Sequence, residues 1–249
     1  MILVIMGDNH LKPYLFDDAE MLMKEYGADA TVCLGDMADD WHKQYSLEAY
    51  RDTYDAAIAY ARKYPNTIFI YGNHDICYEW NERETGYSKI APRLVVEKLQ
   101  ELRDVLPENN QPSFVRRVDN VLISHGGICD FYIYDLLQRK GLPVSMYDDT
   151  DGLIEIINAL GPELWYDISP LWYRPQYSEG KMYKDDCMLQ VVGHTPVAKP
   201  FLKGSILSCD TFSTESDGTP IGTQEFVVID TETWEWHAVK RKALKINGG

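Results

Sequence analysis

The sequence predicts a mixed α/β fold. Short apolar runs alternate with stretches of helical periodicity in a β-α-β-α-β series over residues 1–71, a rhythm that belongs to strands paired through helical crossovers. The later runs are more polar and broken by turn residues, which adds antiparallel strands. Ile2 to Met6 is the first strand, stopped by Gly7 and Asp8. Leu15 to Tyr26 is helical and ends at Gly27, a residue that takes the left-handed conformation of a helix stop at little cost. Ala30 to Leu34 is the second strand, Leu47 to Tyr64 a long amphipathic helix ending before Pro65, and Thr67 to Tyr71 the third strand. These three strands should run parallel with right-handed crossovers. Val121 to Ser124, Met188 to Val192, Ser205 to Ser208 and Glu225 to Asp230 follow as strands. The turn Asp217-Gly218-Thr219-Pro220 marks the region where antiparallel pairing is expected.

Two stretches interrupt this rhythm. Ile76 to Pro112 contains a helical segment, Pro92 to Leu106, and Asp130 to Asp186 is rich in Tyr, Trp, Pro and Asp. Both are expected to be excursions from a single domain, 1–249, that wall or cap a site. The tail Lys240 to Gly249 is basic and is expected to fray at its end.

Composition narrows the function. The chain has 249 residues, with 24 Lys plus Arg against 39 Asp plus Glu, a formal charge of −15. Bulk binding to nucleic acid or to an anionic membrane needs an excess of cations, so neither is expected. An anionic substrate stays possible if divalent cations add their own charge where the chain is acidic. No apolar run approaches the roughly 20 residues of a membrane span. The apolar start, Met1 to Met6, is too short for a secretory signal and has no basic segment before it, so a soluble, cytoplasmic protein is expected. The five cysteines are odd in number, widely spaced and lack a CxxC, and so are expected as reduced thiols.

Five motifs fall at or just after strand ends: Gly7-Asp8-Asn9-His10, Gly35-Asp36-Met37-Ala38-Asp39, Gly72-Asn73-His74-Asp75, Ser124-His125-Gly126-Gly127 and Gly193-His194-Thr195-Pro196. Functional groups in open α/β sheets collect beyond the carboxyl ends of strands, and glycine there lets backbone approach an ion or phosphate. Four of the six histidines lie in these motifs. The donors are carboxylate, amide and imidazole with no thiolate, a set suited to Mn, Fe, Zn or Ni and unlike a structural Cys-zinc site. Asp8 and His10 stand two apart on an extended segment and can reach one ion. Asp36 could bridge to a second that Asn73, His125 and His194 complete. Two such ions about 3.5–4 Å apart can hold a hydroxide between them and clamp a phosphoryl group.

In order and composition these motifs resemble those of the calcineurin-like metallophosphoesterases, over residues 7–196. The resemblance implies a β-sandwich of two mixed sheets flanked by helices, and hydrolysis of phosphate esters with two divalent metal ions, manganese foremost. It implies that Asp8, His10 and Asp36 hold one metal and that Asp36, Asn73, His125 and His194 hold the other. His74 would stand near the leaving-group oxygen as acid or phosphate-orienting group, and Asp75 would pair with it and raise its pKa. His125-Gly126-Gly127 looks like the HGG of the serine/threonine phosphatase-like branch, and Leu171-Trp172-Tyr173-Arg174 resembles a tryptophan-then-arginine segment that holds phosphate in some members. Arg174 is therefore a candidate phosphate clamp, with a surface ion pair to neighbouring acids as the alternative.

Two departures bear on the branch. Asp40 stands where the phosphoprotein phosphatases carry a phosphate-binding arginine, which argues against that activity. Pro196 stands where other branches carry a second histidine ligand, leaving the first metal to water or another residue. The substrate is expected to be a small phosphomonoester or nucleotide, with a phosphoprotein as the alternative, and a non-catalytic binding scaffold as a rival of another class. Asp39 is expected as a hydrogen-bond acceptor in the loop after Asp36. His42 and His237 are expected to be structural. The aromatic segments Phe131 to Tyr134 and Trp165 to Tyr177 are expected in core packing or an oligomer contact, or else along a substrate pocket.

Overall fold

A computed structural model describes residues 1–240; of the basic tail only Lys240 lies within the described residues. The opening rhythm becomes β1 (Ile2–Met6), α1 (Tyr14–Tyr26), β2 (Ala30–Cys33), α2 (Leu47–Lys63) and β3 (Ile68–Phe69), with β1 parallel to β2 and β2 parallel to β3. Gly27 ends α1 at φ 59°, its N–H bonded to the Met23 carbonyl. Ser46 opens α2 by accepting a hydrogen bond from the Ala49 N–H. The chain continues through α3 (Asn73–Trp80), α4 (Pro92–Val105), β4 (Val115–Val118), β5 (Val121–Ser124), α5 (Asp130–Lys140), α6 (Thr150–Asn158), β6 (Leu189–Val192), β7 (Phe201–Lys203), β8 (Ile206–Ser208), β9 (Glu225–Asp230) and β10 (Trp236–Lys240).

The strands form two mixed five-stranded sheets, ordered β10-β9-β1-β2-β3 and β4-β5-β6-β8-β7. In the first, β9 is antiparallel to both β1 and β10, as the turn-rich sequence before it predicts. In the second, β5, β6 and β8 are parallel, with antiparallel β4 and β7 at the edges. Alternation along the strands builds the layers. Leu3, Ile5, Val32, Val227 and Ile229 of one sheet pack with Val121, Ile123, Val191 and Leu207 of the other. The intervening Val4, Met6, Cys33 and Phe69 join a second apolar cluster with Leu15, Phe16 and Leu22 of α1 and Tyr54 and Ile58 of α2. Burial on both faces is why the central strands read as unbroken apolar runs. The architecture is the expected sandwich of mixed sheets flanked by helices.

The differences are local. β3 has two residues where five were expected, because the chain changes partner after Phe69: Ile70 bridges Ser113 and the Tyr71 N–H bonds the Ser113 carbonyl. The edge strands β4, β7 and β10 are short or half-exposed and carry charged residues, so they lack an apolar signature. The stretch 130–186 contains α5 and α6. All five cysteines are free thiols, with Cys187 exposed and the other four buried. Among the described residues no helix is long and apolar enough to cross a membrane.

Candidate active site

The loops after β1, β2, β3, β5 and β6 bring the five motifs together. The segment after β1 pairs with the one after β2: the N–H groups of Asn9, His10 and Leu11 bond the carbonyls of Gly35, Asp36 and Met37 at 3.3, 2.7 and 3.0 Å. Asn9 closes its own turn, donating to the Lys12 carbonyl and accepting from the Lys12 N–H. Asp8 and His10 are thereby set beside Asp36. The motif glycines make room for these carboxylates. A Cβ on Gly193 would lie 2.1 Å from Asp8 Oδ1, and one on Gly72 would lie 2.0 Å from Asp36 Oδ1. Backbone then reaches the acids directly: the His194 N–H donates to both Asp8 oxygens at 3.1 and 2.9 Å, and the His74 N–H to Asp36 Oδ1 at 2.9 Å. His10, Asp36, Asp39 and His194 all have positive φ, a strained conformation for residues with a Cβ that surrounding bonds must sustain.

Two groups of donor atoms result. One oxygen or nitrogen from each of Asp8, His10 and Asp36 lies within 4.8 Å of the others, and the same holds for Asp36, His125 and His194. Asp36 belongs to both groups. Nδ1 of His125 donates to the Leu34 carbonyl at 2.7 Å, so in the neutral ring Nε2 is a bare lone pair. That lone pair faces Asp36 Oδ2 at 3.2 Å, Asn73 Oδ1 at 3.0 Å and His194 Nδ1 at 3.2 Å. Likewise His10 Nδ1 donates to the Asp39 carbonyl at 2.8 Å and frees its Nε2. Such outer bonds fix imidazole ligands for a metal. Acceptor atoms crowded this closely repel one another unless a cation lies among them, and the donor set suits a divalent one. The residues present therefore fit divalent metal.

The electrostatics agree. Burial, then Asp210 and Asp36, push the Asp8 carboxyl well above the usual range. Burial acts the same way on Asp36, but His125, His74 and His10 outweigh it and hold that carboxyl well below the usual range. Burial, His125 and Arg174 keep His194 neutral. A buried cluster of acids and imidazoles whose protonation is shifted this strongly is what a bound cation would stabilise.

His74 corrects an expectation. Its partner is not Asp75. Nδ1 of His74 pairs with Asp39 Oδ2 at 3.0 Å, and Asp39 Oδ1 accepts from the hydroxyls of Tyr50 and Tyr78, each at 2.5 Å. The Asp75 carboxylate accepts from the N–H groups of Met37, Ala38 and Gly72 and from the Tyr54 hydroxyl, at 2.8, 3.2, 3.1 and 3.1 Å. The reason is helical: residues 74 and 75 are consecutive in α3, and neighbours on a helix do not face each other. Asp75 thus has the loop-bracing role expected of Asp39, and Asp39 the pairing role expected of Asp75. Burial pulls the His74 imidazole down, but Asp36, the Asp39 bond and Glu84 outweigh it, and its pKa is pushed up to about 9.

Arg174 is exposed and makes no ion pair among the described residues. Its Nη1 donates to the His194 carbonyl at 2.9 Å and Thr195 Oγ1 at 3.4 Å, Nε and Nη2 have no hydrogen-bond partner among the described residues, and the side chain lines the cavity. Asp40 is neutralised by Lys43 at 2.8 Å and Lys12 at 3.7 Å, and accepts from Thr214 Oγ1 at 2.8 Å. It ties the loop after β2 to the segment at 213–216, where Trp41 Nε1 and His42 Nε2 also bond carbonyls, those of Thr214 and Ser216. His237 rests against the Tyr26 ring. Trp172 meets the His194 ring edge-on at 5.4 Å. The excursions contribute Glu84 and Arg174, respectively, to a cavity of about 260 Å³ above His10, Asp36, Asn73 and His74.

The sequence pattern does not mark Asp210. It is fully buried just past β8, its charge bears on Asp8 and His10, and Ser213 is its hydrogen-bond partner. It stands at a strand end like the other acids, but without a neighbouring glycine or histidine to single it out.

No curated protein sequence matches the chain significantly. Among solved structures it is similar to a cold-active protein-tyrosine phosphatase of a psychrophilic Shewanella species, at 18% identity, covering 96% of this chain and 80% of that one with a TM-score of 0.55. It is also similar to a protein serine/threonine phosphatase from Saccharomyces cerevisiae, at 14% identity, covering 99% and 82% with a TM-score of 0.54. At these identities the likeness is one of fold. The family model described as calcineurin-like phosphoesterase matches residues 1–200, a span that holds all five motifs and both donor groups. The chain thus belongs to the calcineurin-like phosphoesterases, metal-dependent hydrolases of phosphate esters.

Proposed function

We propose that the protein hydrolyses phosphate monoesters, small molecules or nucleotides among them, with two divalent cations, manganese foremost. The observation that carries this reading is Asp36, shared by two separate donor groups. Asp8 and His10 would complete one site, and Asn73, His125 and His194 the other. When bound, the ions would supply an activated water at neutral pH and neutralise charge on the phosphoryl group. Arg174 uses Nη1 to anchor itself to the His194 carbonyl and offers its remaining donors to phosphate oxygens. His74, whose pKa is raised by Asp36 and by its bond to Asp39, would donate a proton to the departing ester oxygen. Asp75 acts at one remove, by holding the loop of Met37 and Ala38 against α3. Asp40 forms ion pairs where a phosphate-binding arginine would be needed, which disfavours a general phosphoprotein phosphatase. The free thiols suit a reducing, cytoplasmic setting.

The test is turnover of p-nitrophenyl phosphate and of its bis ester with manganese, and its loss in chelator. Turnover of the monoester above the diester is expected. No turnover of either with Mn, Fe, Zn, Ni or Mg would reject the reading and favour a binding scaffold.

A further inference from the structure

We propose that the ester is an aryl phosphate whose remainder carries positive charge, and that polyphosphates are excluded. This rests on the monoesterase reading above. Besides His74, whose proton goes to the departing ester oxygen, Arg174 is the one cationic side chain in the cavity wall among the described residues, and its place beside His194 commits it to the phosphoryl group. Two further acids, Glu84 and Glu215, line the same cavity. Glu84 is half-buried and Glu215 exposed, and neither has a cation within ion-pair distance among the described residues. Asp40, also in the wall, is already matched by Lys12 and Lys43. Once phosphate occupies Arg174, these two acids remain in the wall for whatever is joined to the ester oxygen. A cationic group there would meet both acids. A second phosphate would meet both with no further cationic side chain of the wall to receive it, on a protein already at −15.

The shape of the wall selects the ester alcohol. The Trp41 indole is 39% exposed, yet its Nε1 is fixed to the Thr214 carbonyl at 3.0 Å. It lines the cavity together with the apolar Pro196 and Ile221. An aromatic ring fits such a surface by stacking, and a positive substituent beyond the ring reaches the carboxylates. A free small aryl phosphate and a phosphotyrosine in a basic stretch share this chemistry.

The test compares kcat/KM, with manganese, for tyramine phosphate and for the phosphate of 3-(4-hydroxyphenyl)propionate. These share a phenolic leaving group and differ in the sign of the side chain. Phosphotyrosine peptides flanked by Lys or by Glu form a second pair, and ADP serves as the polyphosphate. The cationic member of each pair should lead by about 10-fold, the low end of charge-guided discrimination, and ADP should trail every monoester. The larger of the two cationic rates names the source, free or peptidic. In the double variant Glu84→Gln, Glu215→Gln, with each rate normalised to p-nitrophenyl phosphate and folding checked by melting, the lead should shrink to about 2-fold. Equal rates within each pair, an ADP rate matching the aryl phosphates, or a lead that survives the double variant would overturn the proposal. Failure of the wild-type protein to turn over p-nitrophenyl phosphate would instead strike at the monoesterase reading, and this proposal would fall with it.

Discussion

Replacing Asp39 by asparagine separates the two acids that flank His74. The side-chain carbonyl of the Asp39→Asn variant can still accept from the Tyr50 and Tyr78 hydroxyls in place of Oδ1, so the loop should stay in place. What is lost is the negative charge 3.0 Å from His74 Nδ1. An opposite charge at that range is worth about 1–3 pKa units, or about 1.4–4 kcal/mol. The His74 pKa of about 9 rests on Asp36, Asp39 and Glu84 overcoming burial. Bound cations beside Asp36 will lower the absolute value, so the predicted quantity is the displacement between variants. In a pH profile of kcat with p-nitrophenyl phosphate, the alkaline limb should move down by about 1–3 units in Asp39→Asn. Asp75→Asn should leave that limb in place. It should instead cost stability, because the amide nitrogen must face one of four donors. A penalty of about 1–3 kcal/mol corresponds to a fall in Tm of about 2–12 °C for a chain of this size. A limb that moves with Asp75 and not with Asp39 would refute the assignment.

Three further outcomes follow from the same geometry. In Gly193→Ala the new methyl would sit 2.1 Å from Asp8 Oδ1, so manganese affinity by titration calorimetry should drop at least about 10-fold; unchanged affinity would place Asp8 outside the metal site. Asp40→Arg would set three cations together at Lys12 and Lys43, and urea unfolding should show a loss of about 3–5 kcal/mol with no gain on phosphoserine peptides. The third concerns pH. Asp75, raised to about 6, contributes stability below its ordinary carboxyl value that is lost as pH rises through 6, and His74, raised to about 9, contributes stability below its ordinary value that is lost as pH rises through 9. Manganese relieves the excess of buried negative charge and competes with protons for Asp8. The Tm gap between manganese-loaded and chelator-treated protein should therefore widen from pH 5 to pH 8.5, and a gap that narrows would contradict the assignment.

Much of this was legible in the chain for a physical reason. β1, β2, β5 and β6 are buried on both faces, so they appear as apolar runs. Of the metal-ligand candidates, Asp8, Asp36, Asn73, His125 and His194 each stand next to a glycine of their motif, and His10 is three residues from Gly7. Those glycines are demanded by contact: no Cβ fits between Gly72 and Asp36 or between Gly193 and Asp8. Whatever depends on side-chain direction was hidden. The exchange between Asp39 and Asp75 turns on a helical step between residues 74 and 75, which adjacency in the chain conceals. Glu84, Asp210 and Trp41 reach the cavity or the acids from loops far apart in sequence, and no local pattern announces them. The edges β4, β7 and β10 carry Arg or Lys on half-exposed strands, where hydrophobic alternation is weak.

The central claim is that Asp36 lies between two cations. Anomalous diffraction from crystals grown with manganese addresses it directly. Two peaks about 3.5–4 Å apart are predicted, one beside Asp8 and His10 and one beside Asn73, His125 and His194, with an Asp36 oxygen reaching each. A single peak, or peaks away from Asp36, would contradict the account.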